Sequence, residues 1–596
     1  MFKTSFILCV CLASPSSAAT LQEEAAQFVR DYSSLYQSVY TVSGNADWDA
    51  ATDVSPEHDG ARIAANKALA SVTGNPLVIE QCKRFLAQKK KLDPLLVRQL
   101  ERMLLSAAEN PGTLPDVTAK RVELEARQSS AMDSFQFCLE KKDGVCVKPV
   151  TANDIDDSLV KETDLAKRRA VWEASKEIGP VLKPGLVELQ GLRNSVAAHF
   201  GYPSYFDLQT ANMSMSADEL VALMDQLLKD IQPLYEQLHC YAKYELAERY
   251  KQPVPEKAIP AHWIANRWAQ EWCGLAEGVD LDPYFKGKAP EWLVQQGEGF
   301  WTSLGFPRLP ESFWKKSDLY ALPKDSKRKK NTHASAWHVD LDQDVRSLQN
   351  VESNVYWWNT VHHELGHVYY YVNYTTPTVP VLLRTGATRA FHEGVAEFGG
   401  LSSSREAYLR RVGLLPADKK LDREQWLLNQ AFVETVAFLP WAAGTVTAWE
   451  RDVYAKKLPA SEWNARWWEY VRKYQGIEPP APRGEEYCDA CTKTHVNDNP
   501  AYYYNYAVAT ILKYQLYAHI CRNILKQDMQ SCDPYGKPEV GEFLKKVLSA
   551  GATKDWRALL KETTGQELST QPMMEYFQPL VGLLEKENKG RQCGWQ

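Results

Sequence analysis

The sequence lacks a basic excess and lacks any apolar run long enough to cross a bilayer. Its 69 lysines and arginines stand against 75 aspartates and glutamates, which gives a formal net charge of −6 at pH 7. Nothing in this balance favours a nucleic-acid partner or an anionic membrane surface. A transmembrane helix needs about 20 consecutive apolar residues, so no membrane span is predicted.

Alternating strand-type segments are scarce, and no repeat or low-complexity linker divides the chain. Helical periodicity is present instead, in residues 77–107, 216–250 and 539–551, where apolar residues recur every three or four positions. Residues 330–342 are the best strand candidate. With 596 residues, the chain is predicted to be mainly α, with two large lobes around a deep central cleft and very little β-structure.

The N-terminus has the composition of a secretory signal peptide. Lys3 precedes an apolar run from Phe6 to Ala13, and small residues follow up to Ala19. We therefore expect residues 1–19 to be removed, leaving 20–596 as a single helical domain. The mature protein is expected to be secreted or periplasmic.

Cysteine usage agrees with an oxidising compartment. Two of the twelve cysteines lie in the predicted signal peptide, and the even number that remains favours disulfides. Cys138 with Cys146 and Cys521 with Cys532 would each close a short loop, and a tight local disulfide is the better interpretation of the CDAC unit at 488–491. The partners of the other cysteines are left open by the sequence.

The stretch HHELGHVYYY, residues 362–371, contains the motif H-E-x-x-H. His363 and His367 are four apart and share a helical face, so both imidazoles can reach one metal ion, with Glu364 beside it as a general base. His362 is the spare histidine. A catalytic zinc site needs a third protein ligand, and AFHEGVAEF at 390–398 offers Glu393 and Glu397; spacing alone does not choose between them.

Several ordered segments resemble the angiotensin-converting enzyme family of zinc dipeptidyl carboxypeptidases. They include HHELGH, RTGATRAFHEGVAEF, KTHV, YYYNYAVA, HASAW and IPAHWIANRWAQEW, and the resemblance extends over nearly the whole mature chain. It implies one Zn²⁺ ion held by His363, His367 and Glu393, and Glu364 as general base. Glu397 stands where the family has an aspartate that orients a ligand histidine.

The resemblance also implies a set of residues that contact the substrate. Tyr506 matches the tyrosine that stabilises the tetrahedral oxyanion, and His495 a histidine near the transition state. His333 and Ala334 match residues that hold the peptide by hydrogen bonds. The clamp on the substrate's C-terminal carboxylate is matched by Gln270, Lys493 and Tyr503. The chain differs from the family's spacing by one residue between His495 and Tyr503.

The family's monocarboxypeptidase branch has an arginine where this chain has Gln270, so release of C-terminal dipeptides from oligopeptides is the better interpretation. Glu364 would take a proton from the attacking water. The alternatives are a monocarboxypeptidase, an endo-oligopeptidase, or a peptide-binding relative without catalysis. The oligomeric state and the physiological peptide are not indicated.

Chloride activation is expected to be weak or absent. The family's chloride sites use arginines, and the matching positions here are Lys176, Val471 and Asn505, with Arg472 one residue away as a possible substitute. A family cysteine before HASAW is replaced by Thr332. The chain from His367 to the third ligand is two residues longer than in the family, which places an insertion in the loop TTPTVPVLL.

Overall fold

The computed structural model describes residues 19–276, 280–323 and 325–595. Helices make up 63% of the chain and strands only 5%, which confirms the mainly α prediction. The predicted signal peptide lies, apart from Ala19, outside the described residues. Within them, no helix combines the length and the apolar character that a membrane span requires.

The helices are numbered in chain order. The first twelve are α1 Leu21–Thr52, α2 Pro56–Thr73, α3 Pro76–Leu86, α4 Pro94–Ala107, α5 Pro115–Ser134, α6 Ala152–Lys161, α7 Leu165–Ala174, α8 Gly179–His199, α9 Tyr205–Thr210, α10 Ala217–Arg249, α11 Pro290–Ser303 and α12 Glu311–Lys316. They continue with α13 Val355–Tyr374, α14 Arg389–Ser403, α15 Glu406–Arg411, α16 Arg423–Val433, α17 Thr447–Tyr454, α18 Trp463–Tyr470, α19 Thr494–Asp498, α20 Tyr504–His519, α21 Pro538–Leu548, α22 Trp556–Thr564, α23 Gln571–Tyr576 and α24 Gln578–Glu587.

The helix ends follow local sequence signals. Ser216 and Glu219 form a reciprocal capping box that starts α10. The periodic segment 77–107 is covered by two helices, α3 and α4, because a short 3₁₀ turn separates them and Pro94 occupies the first position of α4. The third periodic segment, 539–551, corresponds to α21.

The strands are short, and most residues of the longest, β8, are buried. They are β1 Phe137–Cys138, β2 Lys141–Lys142, β3 Val145–Cys146, β4 Pro149–Val150, β5 Ile259–Pro260, β6 Asp318–Tyr320, β7 Ser335–His338, β8 Val345–Val351 and β9 Ile477–Glu478. The largest sheet has the order β6-β8-β7, with β7 antiparallel to β8 at an edge. The predicted strand at 330–342 is thus confirmed only in its centre, and His333 and Ala334 precede it.

One extended core holds most of the molecule together, and a second, smaller core belongs to the N-terminal helices. The large core includes Trp358, Leu365 and Leu512. In the small core, α1, α3 and α4 bury residues such as Val29, Phe85 and Leu100. The N-terminal helices are therefore a partly independent layer, and α4 forms one wall of the cavities described below.

Four disulfides are present in the part of the chain that the structure describes. The pairs Cys138–Cys146, Cys521–Cys532 and Cys488–Cys491 are those that the sequence predicts. The fourth pair, Cys240–Cys593, joins positions 353 residues apart and was not predicted. Cys82 and Cys273 are free thiols.

Two helices cross very closely at the H-E-x-x-H motif. Gly366 of α13 lies against α14, and a Cβ at this glycine would stand only 2.7 Å from the Cα of Ala396. Any larger residue would push the helices apart, because real Cβ atoms do not approach a backbone atom so closely. This crossing places the histidines of α13 opposite the carboxylate of Glu393 on α14.

Candidate metal centre and catalytic site

Two histidines and one glutamate converge between α13 and α14. The Nε2 atoms of His363 and His367 lie 3.2 Å apart. The Oε2 atom of Glu393 is 3.6 Å from His363 Nε2 and 3.5 Å from His367 Nε2. Among the described residues, these three side chains are the ones whose possible metal-binding atoms come together around one point. Two nitrogens and one oxygen form a donor set that suits catalytic zinc.

The protonation of these groups also fits a cation. Burial and the neighbouring His367 lower the pKa of His363 to about 3, so His363 is neutral and free to coordinate. Burial opposes ionisation of Glu393, but His367 and Arg389 hold the pKa of its carboxyl well below the ordinary value. The site therefore offers a neutral imidazole at His363 and a carboxylate at Glu393, forms in which these side chains bind a metal.

Glu364 lies beside this group without a partner for one of its oxygens. Its side chain is buried, and Oε2 has no hydrogen bond within the described part of the chain. Burial raises the pKa of Glu364 to about 7. A carboxylate with such a pKa can accept and return a proton near neutral pH, as a general base must. The unpartnered oxygen is the atom that could face a reacting water.

The ring nitrogen of His367 that does not face Glu393 contacts His392, a residue that sequence reasoning missed. The Nδ1 atoms of His367 and His392 are 2.7 Å apart. Once His367 Nε2 serves as ligand, its Nδ1–H donates to His392 and fixes the ring. The local signal was present, since His392 directly precedes Glu393. The contact that the structure gives Glu397 is an ion pair with Lys513 at 2.9 Å, and the role predicted for Glu397 stays a prediction.

His362 lies on the opposite side of α13 from the ligands. Its ring is fully buried and bonds the carbonyl oxygen of Trp358 at 2.7 Å and the hydroxyl of Tyr408 at 3.0 Å. Both ring nitrogens are thus satisfied by the protein. The spare histidine of the motif has a structural role.

The three residues matched to the carboxylate clamp lie together. Lys493 Nζ donates to Gln270 Oε1 at 2.8 Å and faces the ring of Tyr503 at 5.6 Å and that of Trp268 at 4.2 Å. Lys493 is only 7% exposed. The bond that this ammonium makes goes to a neutral amide, so it is a buried cation with capacity for an anionic ligand.

Tyr503 also connects the clamp to the other predicted substrate contacts. The His495 ring lies 5.0 Å from the Tyr503 ring and 6.1 Å from the Tyr506 ring. Burial and the charge of Glu393 raise the pKa of Tyr506 to about 12, so its phenol stays protonated as a donor. Burial, with smaller contributions from Lys493 and His333, lowers the pKa of His495 to about 4, and Ala334 packs against the large core.

Two loops that bear these residues contain alanines in the left-handed backbone region. Ala269, just before Gln270, has φ of 51°, and Ala501, just before the tyrosine run, has φ of 58°. The N–H of Ala501 donates to buried Glu450 at 2.8 Å. Non-glycine residues hold this conformation at a cost of about 1–2 kcal/mol, and such strain is concentrated at functional sites.

The positions matched to chloride ligands are spread over different surroundings. Lys176 and Val471 line one small cavity together with Arg267, whose guanidinium is held by Asp156 at 2.8 Å. Asn505 lines a different, larger cavity. Arg472 is exposed and is not among the residues that line the small cavity.

A helical scaffold that brings H-E-x-x-H and a distant glutamate to one point, with a buried base beside them, defines a zinc metallopeptidase. Comparison with known proteins agrees with this class. The family model for angiotensin-converting enzyme, peptidase M2, matches residues 19–595, and the chain belongs to that family.

Curated relatives carry the same name. An angiotensin-converting enzyme of Theromyzon tessulatum is 29% identical over 97% of this chain and 92% of the relative. The Bos taurus and Mesocricetus auratus enzymes are 30% and 32% identical over 95% and 81% of this chain. This chain spans only 44% and 38% of those two relatives.

Proposed function

We propose that this zinc metallopeptidase is a dipeptidyl carboxypeptidase that releases C-terminal dipeptides from oligopeptides with a free C-terminus. The observation that carries the proposal is the buried pair of Lys493 and Gln270 beside Tyr503, a cation whose hydrogen-bond partner is neutral. A free carboxylate bound there would set the distance from the chain end to the scissile bond.

The residues divide the chemistry between them. Zinc, held by His363, His367 and Glu393, would supply Lewis-acid polarisation of the scissile carbonyl. Glu364 takes the proton of the attacking water and returns it to the leaving amine, a task supported by its unpartnered oxygen and its pKa of about 7. Tyr506 is proposed to donate its O–H to the developing oxyanion.

The surrounding groups are proposed to hold the peptide in register. His495 is close to Tyr506, and burial lowers the pKa of His495 to about 4, so it acts as a neutral hydrogen-bonding group. His333 and Ala334 precede the edge strand β7, where backbone groups are available to an extended peptide. We further propose weak or absent chloride activation and a secreted or periplasmic location, in accord with four disulfides.

Product analysis tests the reaction type. Purified enzyme is incubated with blocked tripeptides and with a mixture of longer peptides, with and without a chelator, and the products are identified by mass spectrometry. We expect C-terminal dipeptides only, and none after chelation. Release of single residues would instead identify a monocarboxypeptidase, internal fragments an endo-oligopeptidase, and intact peptides a non-catalytic relative.

A further inference from the structure

Arg389 is a charged residue beside the metal-type ligands that the proposed mechanism does not use. It is the first residue of α14, four positions before Glu393, and its Nη2 lies 2.7 Å from Glu393 Oε1. It also bonds the side chain of Tyr502. The side chain is nevertheless 51% exposed. A guanidinium has five N–H donors in a planar fork, so donors remain for a further ligand.

The exposed part of Arg389 faces the junction of two cavities. The larger has a volume of about 730 Å³ and the smaller about 420 Å³. Both are lined by Arg102, Thr385, Arg389 and His392. Gln270, Lys493 and Tyr503 line neither of these two cavities, so the junction is separate from the carboxylate clamp.

The charges around the junction are predominantly positive. Arg98 lines the larger cavity and donates to the backbone carbonyl of Lys554 at 2.7 Å, and Arg102 donates to the neutral Asn212 at 3.2 Å. Glu101, an acidic residue of the larger cavity, is paired with Lys89 at 3.2 Å. The cavity therefore has a cationic excess close to Arg389, and this would favour an anionic ligand.

His392 adds an unused donor at the same place. It is 4% exposed, and its Nε2 has no hydrogen-bond partner among the described residues. When His367 Nε2 binds a metal, His367 Nδ1–H donates to His392 Nδ1, and the proton of a neutral His392 ring then lies on Nε2. A buried N–H without a partner is costly, and His392 lines both cavities.

We propose that Arg389, with His392 and Arg102, forms a specificity site for an acidic side chain of the peptide substrate, on the N-terminal side of the scissile bond. This inference rests on the proposed function, because the clamp is proposed to hold the C-terminal end of the peptide and none of its residues lines the junction. Arg389 contacts the proposed metal ligand Glu393 directly, so it lies close to the scissile bond. Each residue of an extended peptide spans about 3.3 Å, so only a residue near that bond can place its side chain at Arg389. The aspartate or glutamate recognised is thus the first or second residue before the scissile bond.

A purely structural role for Arg389 would have a different signature. If its only task were to hold Glu393 in place, its removal would weaken zinc binding and slow every substrate equally. If it also binds a substrate carboxylate, its removal would slow acidic substrates more than neutral ones. A double-mutant cycle between the enzyme residue and the substrate residue separates the two effects.

The test uses zinc-loaded wild type and Arg389→Gln with peptides that differ only by Glu or Gln, at the first or at the second position before the scissile bond. We expect wild type to prefer Glu roughly tenfold in kcat/KM at one of these positions, and Arg389→Gln to lose that preference, as for a charge-assisted hydrogen bond. Arg98→Gln, which removes a cation from the same cavity without touching the metal centre, should keep the preference within about twofold.

Binding provides a readout besides activity. The affinities of the same peptides for Glu364→Gln, and for Glu364→Gln combined with Arg389→Gln, are measured by calorimetry, with zinc content checked for each protein. A Glu preference that disappears with Arg389 supports the site. Equal loss for the Glu and Gln peptides, or no preference in wild type, overturns it. If dipeptides are not the products but the binding preference persists, the proposed reaction fails and this inference stands.

Discussion

Replacing Lys493 with methionine should convert the enzyme from one that requires a free C-terminus to one that ignores it. The ammonium is 7% exposed, bonds Gln270 at 2.8 Å, and lies 4.2 Å from the ring of Trp268. Truncating one partner of a buried, hydrogen-bonded charge pair costs about 3 kcal/mol, equivalent to roughly a 150-fold loss of kcat/KM for a peptide acid. The matching peptide amide has no carboxylate to lose, so its kcat/KM should change less than about threefold.

The assay compares kcat/KM for a blocked tripeptide and its C-terminal amide in wild type and in Lys493→Met. Lys183→Met is the matched control, because Lys183 is also a shielded lysine but pairs with Glu485 at 2.8 Å in another part of the fold. The control should leave the ratio of acid to amide unchanged. If Lys493→Met lowered acid and amide by the same factor, the clamp would be refuted and Lys493 would be structural.

Three further outcomes follow from the same geometry. Burial lowers the pKa of Lys493 to about 7, so the ammonium is lost as pH rises through that value. Above this pH, kcat/KM for the peptide acid should fall about tenfold per pH unit, while kcat/KM for the peptide amide should stay constant. Parallel pH profiles for the two peptides would contradict this prediction. Glu364→Gln should lower kcat about 1,000-fold yet bind peptide within threefold by calorimetry; retained turnover would exclude it as the base. Replacing another monovalent anion by chloride at constant ionic strength should change activity less than twofold, because Val471 and Asn505 are uncharged. A severalfold rise in activity would instead show an anion site near Lys176.

Local periodicity was sufficient to predict part of the site. Histidines four apart share a helical face whatever the rest of the fold does, so the pairing of His363 with His367 could be read from the sequence. Glu393 and Glu397 also share a face, and the choice between them depended on how α14 crosses α13. The structure turns Glu393 toward both histidines and Glu397 toward Lys513.

Other features depend on distances that no local pattern encodes. The contact of His392 with His367 exists because Gly366 lets two helix backbones approach, and this approach is a tertiary property. Short-range disulfides could be predicted from loop length, but Cys240 and Cys593 are too far apart in sequence for such an argument. The strand at 330–342 was predicted too long, because pairing with β8 covers only Ser335–His338.

The Cys240–Cys593 disulfide turns the catalytic half of the molecule into a covalent circle. Every residue matched to the metal centre and the clamp, from Gln270 to Tyr506, lies on this circle, whereas α1 to α4, with Arg102, lie on a tail outside it. A single proteolytic cut inside the circle would leave both pieces joined until the disulfide is reduced. A cut between α4 and α5 would instead break the covalent link to one wall of the cationic cavity and leave the circle unbroken. Of the proposed acidic-side-chain site, Arg389 and His392 thus lie on the circle with the hydrolytic residues, and only Arg102 lies on the tail.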